Sequence, residues 1–374
     1  MNLSVDIKKS YDDFGLRVKF DSDSKRIGIL GASGSGKSMT LKAISGLITP
    51  DEGRISVGKS ILYDSREKVN VKTADRNVGY LFQSYALFPN MTVRENLESA
   101  LHGATRRERR AISGRTKAGS INGQAAGTGN NKAGKQEDGC LVNTYIKKFG
   151  LEEVSDHRPG ELSGGQQQRT ALARMLICDP GLLLLDEPFS AVDTFMKEGM
   201  RLELIRILNE YNKQVILVSH DRDEIYQMCN YLVLMDKGRV IAHGKTDELF
   251  RHPGTEVAAR LTGCKNISRI EKLTEHRIKA LDWGGLELVT DEKVTEDITH
   301  AGIRAHDFIP GEHGVNVIAC GQAMISKMPF EWYVTLENGL WWKLGRNLDE
   351  EYKSSVVPQY ISVEPDRIVL LKSV

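Results

Sequence analysis

The sequence predicts an α/β domain followed by a small all-β domain. Three observations support this prediction. An apolar run at residues 27–30 leads into a glycine-rich loop and then into a helical pattern. A second apolar run, at residues 182–185, suits a strand that is buried on both faces of a parallel sheet. From about Lys265 onward, short strand-like segments separated by turn residues replace the helical patterns and carry all four tryptophans.

The glycine-rich loop has the spacing Gly-x-x-x-x-Gly-Lys-Ser. Glycine lets the backbone curl so that its N–H groups point at a phosphate, and the following helix adds the positive end of its dipole. Lys37 would reach the β- and γ-phosphates, and the Ser38 hydroxyl would complete a Mg²⁺ shell. An ordinary turn before a helix is the alternative. The predicted nucleotide-binding residues are Gly31, Ala32, Ser33, Gly34, Ser35, Gly36, Lys37, Ser38 and Met39.

Length, composition and charge limit the classes of protein to which the chain can belong. With 374 residues, of which 40% are hydrophobic and 27% charged, the chain is long enough for two or three domains with their own cores. The net charge of +1 provides no field that favours nucleic acid, so no nucleic-acid partner is expected. No apolar run reaches about 18 residues, so any membrane link is expected to depend on a partner. The five cysteines include no Cys-x-x-Cys pair, which argues against a disulfide framework and a zinc site.

The chain begins with two segments, at residues 3–7 and 16–20, that are predicted to be antiparallel strands. Tyr11 and Phe14 lie between them. Either ring could stack on an adenine held at the glycine-rich loop, and Tyr11 is the candidate; core packing is the alternative. After the loop and its helix, residues 53–57 are predicted to form an edge strand.

A third strand, at residues 78–82, ends in Gln83, where an amide could reach a nucleotide's metal ion or the attacking water. An apolar loop at residues 85–91 follows and leads into a helix that Thr92 and Glu95 would cap. Exposed apolar side chains in this loop would form a docking surface. The alternative is that they fold back into the core.

Residues 103–139 are rich in arginine, lysine, glycine, serine and asparagine and contain almost no large apolar side chain. Such a segment cannot bury enough surface to offset its ordering entropy, which predicts a disordered insertion. It would be a solvated linker or would contact RNA or lipid head groups. Helix is predicted to resume near Leu141.

Two further motifs carry polar groups. The Ser-Gly-Gly sequence within residues 162–169, before a helix that carries Ala171, Leu172, Met175 and Leu176, predicts a second anion site. One nucleotide does not need both loops, whereas two nucleotides shared between two subunits would need them. The strand at residues 182–185 delivers Asp186, suited to a Mg²⁺ shell, and Glu187, suited to orienting water; a simple turn is the alternative. The strand at residues 215–218 similarly precedes His220, which could donate to a γ-phosphate.

Over roughly residues 1–250, the chain resembles the ATP-binding-cassette (ABC) ATPases. The loop at residues 31–38 matches Walker A, Gln83 the Q-loop, residues 182–187 Walker B, residues 190–193 with Asp193 the D-loop, and His220 the switch histidine. The signature motif comprises Leu162, Ser163, Gly164, Gly165 and Gln166.

This resemblance implies a P-loop NTPase cassette with a RecA-like core, an antiparallel β subdomain and a helical subdomain at about residues 84–160. ATP would lie between the Walker A of one subunit and the signature of the other in a head-to-tail homodimer. The catalytic residues would be Glu187, His220 and Gln83, and the Mg²⁺ ligands Ser38, Gln83 and Asp186. A membrane permease would dock through the loop after Gln83.

After a linker at residues 251–264, residues 265–374 are predicted to form the β domain. Asn338 and Gly339 predict a type I′ turn between two tryptophan-containing strands. Residues 302–307 resemble the start of the oligomer-binding-like barrel, of TOBE or MOP type, that follows the cassette in molybdate, sulfate, iron and sugar importers. Together with residues 77–83 and 86–89, the closest resemblance is to molybdate-type importers. Ser326 and Lys327 could bind an oxyanion, an ordinary strand end being the alternative.

The resemblance therefore implies an ATPase subunit of an importer at the cytoplasmic face of the membrane. Its partners would be a second copy of the chain, two permease subunits and an extracellular or periplasmic solute-binding protein. The solute would be molybdate or tungstate, with sulfate, ferric iron or a sugar as alternatives. A soluble ABC ATPase or a regulatory module that is not coupled to transport is the alternative from another class.

Overall fold

The computed structural model describes residues 2–103, 131–190, 194–328, 331–345 and 357–373, without the side chains at 131–137, 194–196 and 345. Most of the predicted insertion, at 104–130, and the D-loop residue Asp193 lie outside the described residues. The chain divides into two compact units. The first comprises Met1–Tyr231 and Lys237–Val240, and the second comprises Leu232–Asp236 and Ile241–Val374.

The helices of the described residues are named here in chain order. They are α1 (Lys37–Ser45), α2 (Val93–Gly103), α3 (Asn131–Lys148), α4 (Gly164–Leu176), α5 (Thr194–Glu210), α6 (Arg222–Met228), α7 (Thr246–Arg251) and α8 (Glu256–Leu261).

The first eleven strands are β1 (Leu3–Ser10), β2 (Gly15–Ser22), β3 (Arg26–Gly31), β4 (Glu52–Val57), β5 (Ser60–Asp64), β6 (Val69–Asn70), β7 (Val78–Leu81), β8 (Leu182–Asp186), β9 (Gln214–Ser219), β10 (Tyr231–Asp236) and β11 (Arg239–Lys245). They are followed by β12 (Asn266–Thr274), β13 (Arg277–Ala280), β14 (Leu286–Val289), β15 (His300–Ile303), β16 (Ile309–Pro310), β17 (Val317–Ala319), β18 (Ala323–Lys327), β19 (Glu331–Leu336), β20 (Trp341–Gly345), β21 (Tyr360–Ser362) and β22 (Ile368–Leu371).

Parallel strands form the centre of the first unit, in the order β3-β9-β8-β7. Every residue of β8 and of β9 is buried, as the continuous apolar runs predict. Because the strands are parallel, the polar residues that follow β7, β8 and β9 emerge at the same edge of the sheet. The α/β prediction is confirmed.

Antiparallel strands in the order β6-β5-β4-β1-β2 form the second part of this unit. The predicted pairing of the first two strands is confirmed. The prediction that residues 53–57 form an edge strand is wrong, because β4 lies between β1 and β5. The strand β5 was not predicted, since Ser60, Tyr63 and Asp64 interrupt the apolar pattern that indicates a strand. In the structure, the Tyr63 hydroxyl donates a hydrogen bond to the carbonyl of Pro50 at 2.7 Å.

The helical part of the first unit is formed by α2, α3 and α4, and α2 contacts both of the others. The helix α3 begins at Asn131, ten residues before the predicted restart near Leu141. Its first turns combine good helix formers, among them lysine, alanine, glutamine and glutamate, with Gly134 and Gly139, and they extend a helix that is anchored by buried Val142, Ile146 and Phe149. A reading based on the glycines and charges of this segment overlooked that propensity.

The second unit contains three small sheets, in the orders β14-β13-β12-β15-β22, β16-β21-β17 and β18-β19-β20. The predicted hairpin is β19–β20. Its predicted type I′ turn is wrong, because among the turn residues Gly339 alone has a positive φ, of 84°, and its N–H bonds Leu336 O at 2.9 Å. The loop is a type I turn closed by a left-handed glycine, since Leu336 also pairs with Leu340.

No helix among the described residues is both long enough and apolar enough to cross a membrane.

Candidate functional site

The loop after β3 has the backbone geometry that a phosphate-binding loop requires. Gly34 (φ 77°) and Gly36 (φ 96°) adopt left-handed conformations that L side chains rarely tolerate, and Gly36 directly precedes α1. The ammonium of Lys37 donates to the carbonyls of Gly31 at 2.8 Å and Ala32 at 2.9 Å. Burial lowers the pKa of Lys37, while the charges of Glu187 and Asp186 oppose that shift. A cation is thereby held inside the loop.

Asp186, at the end of β8, receives hydrogen bonds on both carboxylate oxygens. Ser38 Oγ donates to Oδ1 at 2.7 Å, and the Tyr80 hydroxyl donates to Oδ2 at 2.8 Å. Ser38 and Asp186 thus bring together two of the predicted metal ligands. Gln83, the third, is exposed, and its side chain forms no hydrogen bond with the described residues.

The Ser38 and Asp186 pair fits magnesium. Both donors are hard oxygens, which Mg²⁺ prefers, and Mg²⁺ is commonly bound by one or two protein groups together with substrate phosphates and water. The described residues contain no cluster of three or more His, Cys, Asp or Glu that could hold a metal alone. The metal would therefore depend on oxygens of the nucleotide.

Glu187 follows Asp186 in a left-handed conformation, with φ of 46°. Its N–H donates to Val218 O at 3.0 Å, and Ser190 donates to its carbonyl through both N–H (3.1 Å) and Oγ (2.9 Å). A non-glycine residue keeps such a φ only where its surroundings enforce it, and such sites are often functional. His220 Nδ1 lies 3.3 Å from Glu187 Oε1, so the two predicted catalytic residues are neighbours.

A buried network supports the position of His220. Ser219 Oγ donates to Glu224, which is 3% exposed, and accepts from the N–H of Asp221 at 2.9 Å. The ammonium of Lys197 pairs with Asp221 at 2.9 Å and with Glu224 at 2.7 Å. These pairings anchor the start of α6 and the turn that carries His220.

The Ser-Gly-Gly sequence forms the N-terminus of α4. Ser163 Oγ accepts from Gln166 N at 3.3 Å, and Gln166 Oε1 accepts from Ser163 N at 2.9 Å, which is a capping box. Ser163 and Gly164 are exposed. Among the described residues, no hydrogen bond links residues 162–166 to the loop at 31–39, so this chain by itself does not assemble the two loops.

Tyr11 lies in the turn between β1 and β2 and is 41% exposed, so it is not a core residue. The turn is linked to the phosphate loop through Gly238, whose N–H donates to Ser35 O at 3.1 Å and whose carbonyl accepts from Arg17 N at 2.7 Å. A Cβ at Gly238 would lie 2.1 Å from Gly15 O, so glycine is required there. Adenine stacking on Tyr11 stays a prediction.

The loop after Gln83 is strained and firmly held. Tyr85 (φ 59°) and Ala86 (φ 47°) are both left-handed. Arg174, on α4, donates to Ala86 O at 2.8 Å, Tyr85 O at 3.4 Å and Asn96 Oδ1 at 3.3 Å. Asn96 is fully buried and bonds the backbone of the loop. Its contacts are Phe88 N (2.9 Å), Phe88 O (3.2 Å), Met91 O (3.1 Å) and Thr92 O (3.0 Å).

The two alternatives for this loop are both partly correct. Tyr85 folds into the core, at 5% exposure, whereas Phe88 (48%) and Met91 (37%) are exposed. The predicted cap of α2 is present, because Glu95 N donates to Thr92 Oγ1 at 3.2 Å and Thr92 N donates to Glu95 Oε2 at 2.8 Å.

A cavity of about 380 Å³ lies between the edge strand β7 and the helices α2 and α4. Its wall includes Tyr80, Tyr85, Phe88 and Arg174. Within the described part of the chain, the buried hydroxyl of Tyr85 has no hydrogen-bond partner. Burial lowers the pKa of Arg174, which forms no ion pair within the described part of the chain. The cavity wall therefore includes a cation beside exposed apolar side chains.

The candidate oxyanion-binding residues of the second unit are poorly placed to hold an anion. Ser326 and Lys327 are exposed on the edge strand β18, and the Lys327 ammonium lies 4.5 Å from the centre of the Trp332 ring. A Cβ at Gly321 would lie 3.1 Å from a carboxylate oxygen of Glu337, whose charge opposes an anion there. The geometry favours the strand-end alternative.

Sequence reasoning missed Tyr80, Asn96, Arg174 and Gly238. Tyr80 and Arg174 lie within patterns that indicate an ordinary strand and helix, and Asn96 lies within an ordinary helix. Gly238 had a usable signal, since Asp-Lys-Gly is a turn sequence.

Comparison with known proteins agrees with this geometry. Residues 17–190 match the family model described as ABC transporter. The chain is 31% identical over 252 residues to the molybdenum import ATP-binding protein ModC of Paramagnetospirillum magneticum, covering 67% of this chain and 61% of that protein. It is 31% identical over 316 residues to the sulfate/thiosulfate import ATP-binding protein CysA of Caulobacter vibrioides, covering 83% of each. The putrescine transport ATP-binding protein PotG of Escherichia coli is 32% identical over 264 residues, with 71% of this chain and 60% of that protein covered.

A solved structure is also similar. The dimeric structure of MJ0796, described as a bacterial ABC transporter cassette, is 27% identical with a TM-score of 0.50. The match covers 66% of this chain and 99% of that one. The cassette fold is thereby confirmed.

Proposed function

The chain belongs to the import-type ATP-binding proteins of ABC transporters, and we propose that it is the ATPase subunit of an oxyanion importer. Proteins of this family are ATPases coupled to transport. The observation that carries the ATPase assignment is the arrangement at the ends of the parallel strands. Ser38 contacts Asp186 there, and His220 contacts Glu187. Lys37 directly precedes Ser38 in the phosphate loop.

Each of these side chains has a role that its chemistry suits. The Lys37 ammonium would leave the loop carbonyls to pair with phosphate oxygens, and Ser38 with Asp186 would hold Mg²⁺, which screens the phosphate charge. Glu187 would orient the attacking water, and His220, beside it, would donate to the γ-phosphate. Gln83 would join the metal or the water, and Tyr11 would stack on the adenine.

The signature residues are proposed to act across a homodimer. Ser163 and Gly164 present an exposed helix N-terminus, which favours an anion, and among the described residues no hydrogen bond joins it to the phosphate loop. The partner's nucleotide would supply that anion.

This arrangement predicts complementation between two inactive variants. Lys37→Ala removes the loop cation and Ser163→Arg blocks the signature, so each alone should have almost no ATPase activity. A mixed dimer, purified with two different tags, keeps one intact site and should recover up to about half the wild-type rate. Mixed dimers that form but stay inactive would contradict action in trans.

Each of the two permease subunits is proposed to dock at the cavity beside β7 of one copy of the chain. The strained loop at residues 85–92 presents Phe88 and Met91 outward, and Arg174 lines the cavity beside them. A segment with an apolar face and one hydrogen-bonding or acidic side chain suits this surface. Such docking would hold the protein at the cytoplasmic face of the membrane.

The solute is proposed to be a tetrahedral oxyanion, molybdate or tungstate first and sulfate second. The relatives named for molybdenum import and for sulfate/thiosulfate import support this class. A polyamine, ferric iron or a sugar are the competitors, the first because of the relative named for putrescine transport.

A reconstituted complex of this chain with its permease tests the solute. An oxyanion-loaded binding protein should raise ATPase activity several-fold, whereas the same binding protein without solute should not. Stimulation by putrescine, iron or a sugar with their binding proteins would overturn the oxyanion proposal. Failure to co-purify with any integral membrane protein would instead favour a soluble ABC ATPase or a regulatory module.

A further inference from the structure

Tyr80 reaches the carboxylate of Asp186 from the neighbouring strand. In the parallel pairing of β7 with β8, Tyr80 is aligned with Leu184, two residues before Asp186. A long side chain that leans along the strand can span that offset, and the Tyr80 hydroxyl donates to Asp186 Oδ2 at 2.8 Å. Phenylalanine would fill the same space but could not make this bond.

The bond has a fixed direction. The Tyr80 hydroxyl supplies the hydrogen of this bond, and a carboxylate oxygen of Asp186 accepts it. The ring is also held, because its centre lies 4.3 Å from that of Phe82. Tyr80 is therefore a rigid donor aimed at one carboxylate oxygen.

Two donors restrain Asp186, but only one of them is expected to keep its hydrogen bond when the metal ion binds. The terminal torsion of a carboxylate is broad, so a single hydrogen bond does not fix its plane. Ser38 Oγ donates to Oδ1 at 2.7 Å, but Ser38 is itself a proposed magnesium ligand. Tyr80 has no proposed contact with metal or nucleotide, so its hydrogen bond can persist when they bind.

We propose that Tyr80 is a positioning residue, which holds Asp186 Oδ2 so that Oδ1 faces Ser38 and the magnesium ion. The inference rests on the proposed function, in which Asp186 serves the metal. Hydrogen-bond partners of metal ligands commonly tune metal affinity, and their loss weakens it by about ten-fold or more.

The test is Tyr80→Phe in the full-length chain. Binding of a non-hydrolysable ATP analogue is titrated in EDTA and at a series of Mg²⁺ concentrations. We expect unchanged affinity in EDTA, and a rise of about ten-fold in the Mg²⁺ concentration that half-saturates the metal-dependent gain in affinity. ATP turnover should fall mainly at low Mg²⁺ and recover as Mg²⁺ is raised.

Tyr63→Phe is the matched control, since the Tyr63 hydroxyl also donates a hydrogen bond, to Pro50 O at 2.7 Å, within the antiparallel part of the unit. It should keep the wild-type Mg²⁺ dependence. An unchanged Mg²⁺ midpoint in Tyr80→Phe would overturn the inference, as would an equal loss of affinity in EDTA, which indicates a purely structural role.

Asp186→Asn distinguishes a failure of the metal assignment from a failure of the Tyr80 inference. If Asp186→Asn keeps the wild-type Mg²⁺ dependence, the metal assignment in the proposed function fails and the Tyr80 inference fails with it. If Asp186→Asn loses that dependence while Tyr80→Phe retains it, the inference alone is overturned.

Discussion

Glu187→Gln is expected to bind ATP normally and to hydrolyse it about a hundredfold to ten-thousandfold more slowly, the range that a positioned acid–base group contributes. Glutamine has the shape of glutamate and can keep the contact with His220 and the left-handed backbone. It cannot accept a proton from water at neutral pH. In the proposed dimer, bound ATP joins the two subunits and hydrolysis would separate them. The variant should therefore also accumulate as an ATP-bound dimer.

The measurements are ATP turnover, equilibrium binding of ATP and molecular mass with and without ATP. Glu210→Gln is the control, because that carboxylate pairs with Lys148 at 2.6 Å on the surface, and the variant should behave as wild type. Turnover of Glu187→Gln within a few-fold of wild type would show that another group orients the water.

Asn96→Ala is expected to lower the free energy of unfolding by about 3 kcal/mol, since each buried polar group left unpaired costs about 1–3 kcal/mol. The fully buried amide bonds the backbone of Phe88, Met91 and Thr92 and accepts from Arg174. Its loss leaves several of these groups unsatisfied, and it also releases the strained loop at residues 85–92. The proposed docking to the permease should weaken in parallel.

Denaturant unfolding of Asn96→Ala and wild type gives the change in stability. Asn143→Ala is the matched control, because Asn143 is exposed and accepts a hydrogen bond from Arg94, and its loss should cost no more than about 0.5 kcal/mol. A small effect in Asn96→Ala would show that water or an alternative loop conformation satisfies the exposed backbone groups.

The motifs and the α/β order could be predicted because their signals are local. A loop of the form Gly-x-x-x-x-Gly-Lys-Ser needs left-handed glycines and a helix start, and both are encoded within eight neighbouring residues. A continuous apolar run ending in Asp186 and Glu187 similarly identifies a buried parallel strand and the sheet edge it reaches. The capping box of Thr92 and Glu95 was predictable for the same reason.

The errors came from features that depend on context. The predicted restart of helix near Leu141 is too late, because the residues from Asn131, which include two glycines, extend a helix that is anchored further along by buried Val142 and Ile146. The Asn338-Gly339 turn has the sequence of a type I′ turn, but the pairing of Leu336 with Leu340 makes the loop one residue longer. Strand position within a sheet, as for β4, depends on which other segments pair beside it.

The sequence by itself determined the nucleotide-binding motifs, the parallel core and the presence of a separate β unit, because neighbouring residues specify each of these. Tertiary structure alone decided that Tyr80 restrains Asp186, that Gly238 supports the phosphate loop and that Arg174 holds the loop after Gln83. Tyr80 and Asp186 are 106 residues apart, and Arg174 and Ala86 are 88 apart. A hydrogen bond between such distant residues depends on strand register and helix packing, which no local pattern of side chains encodes.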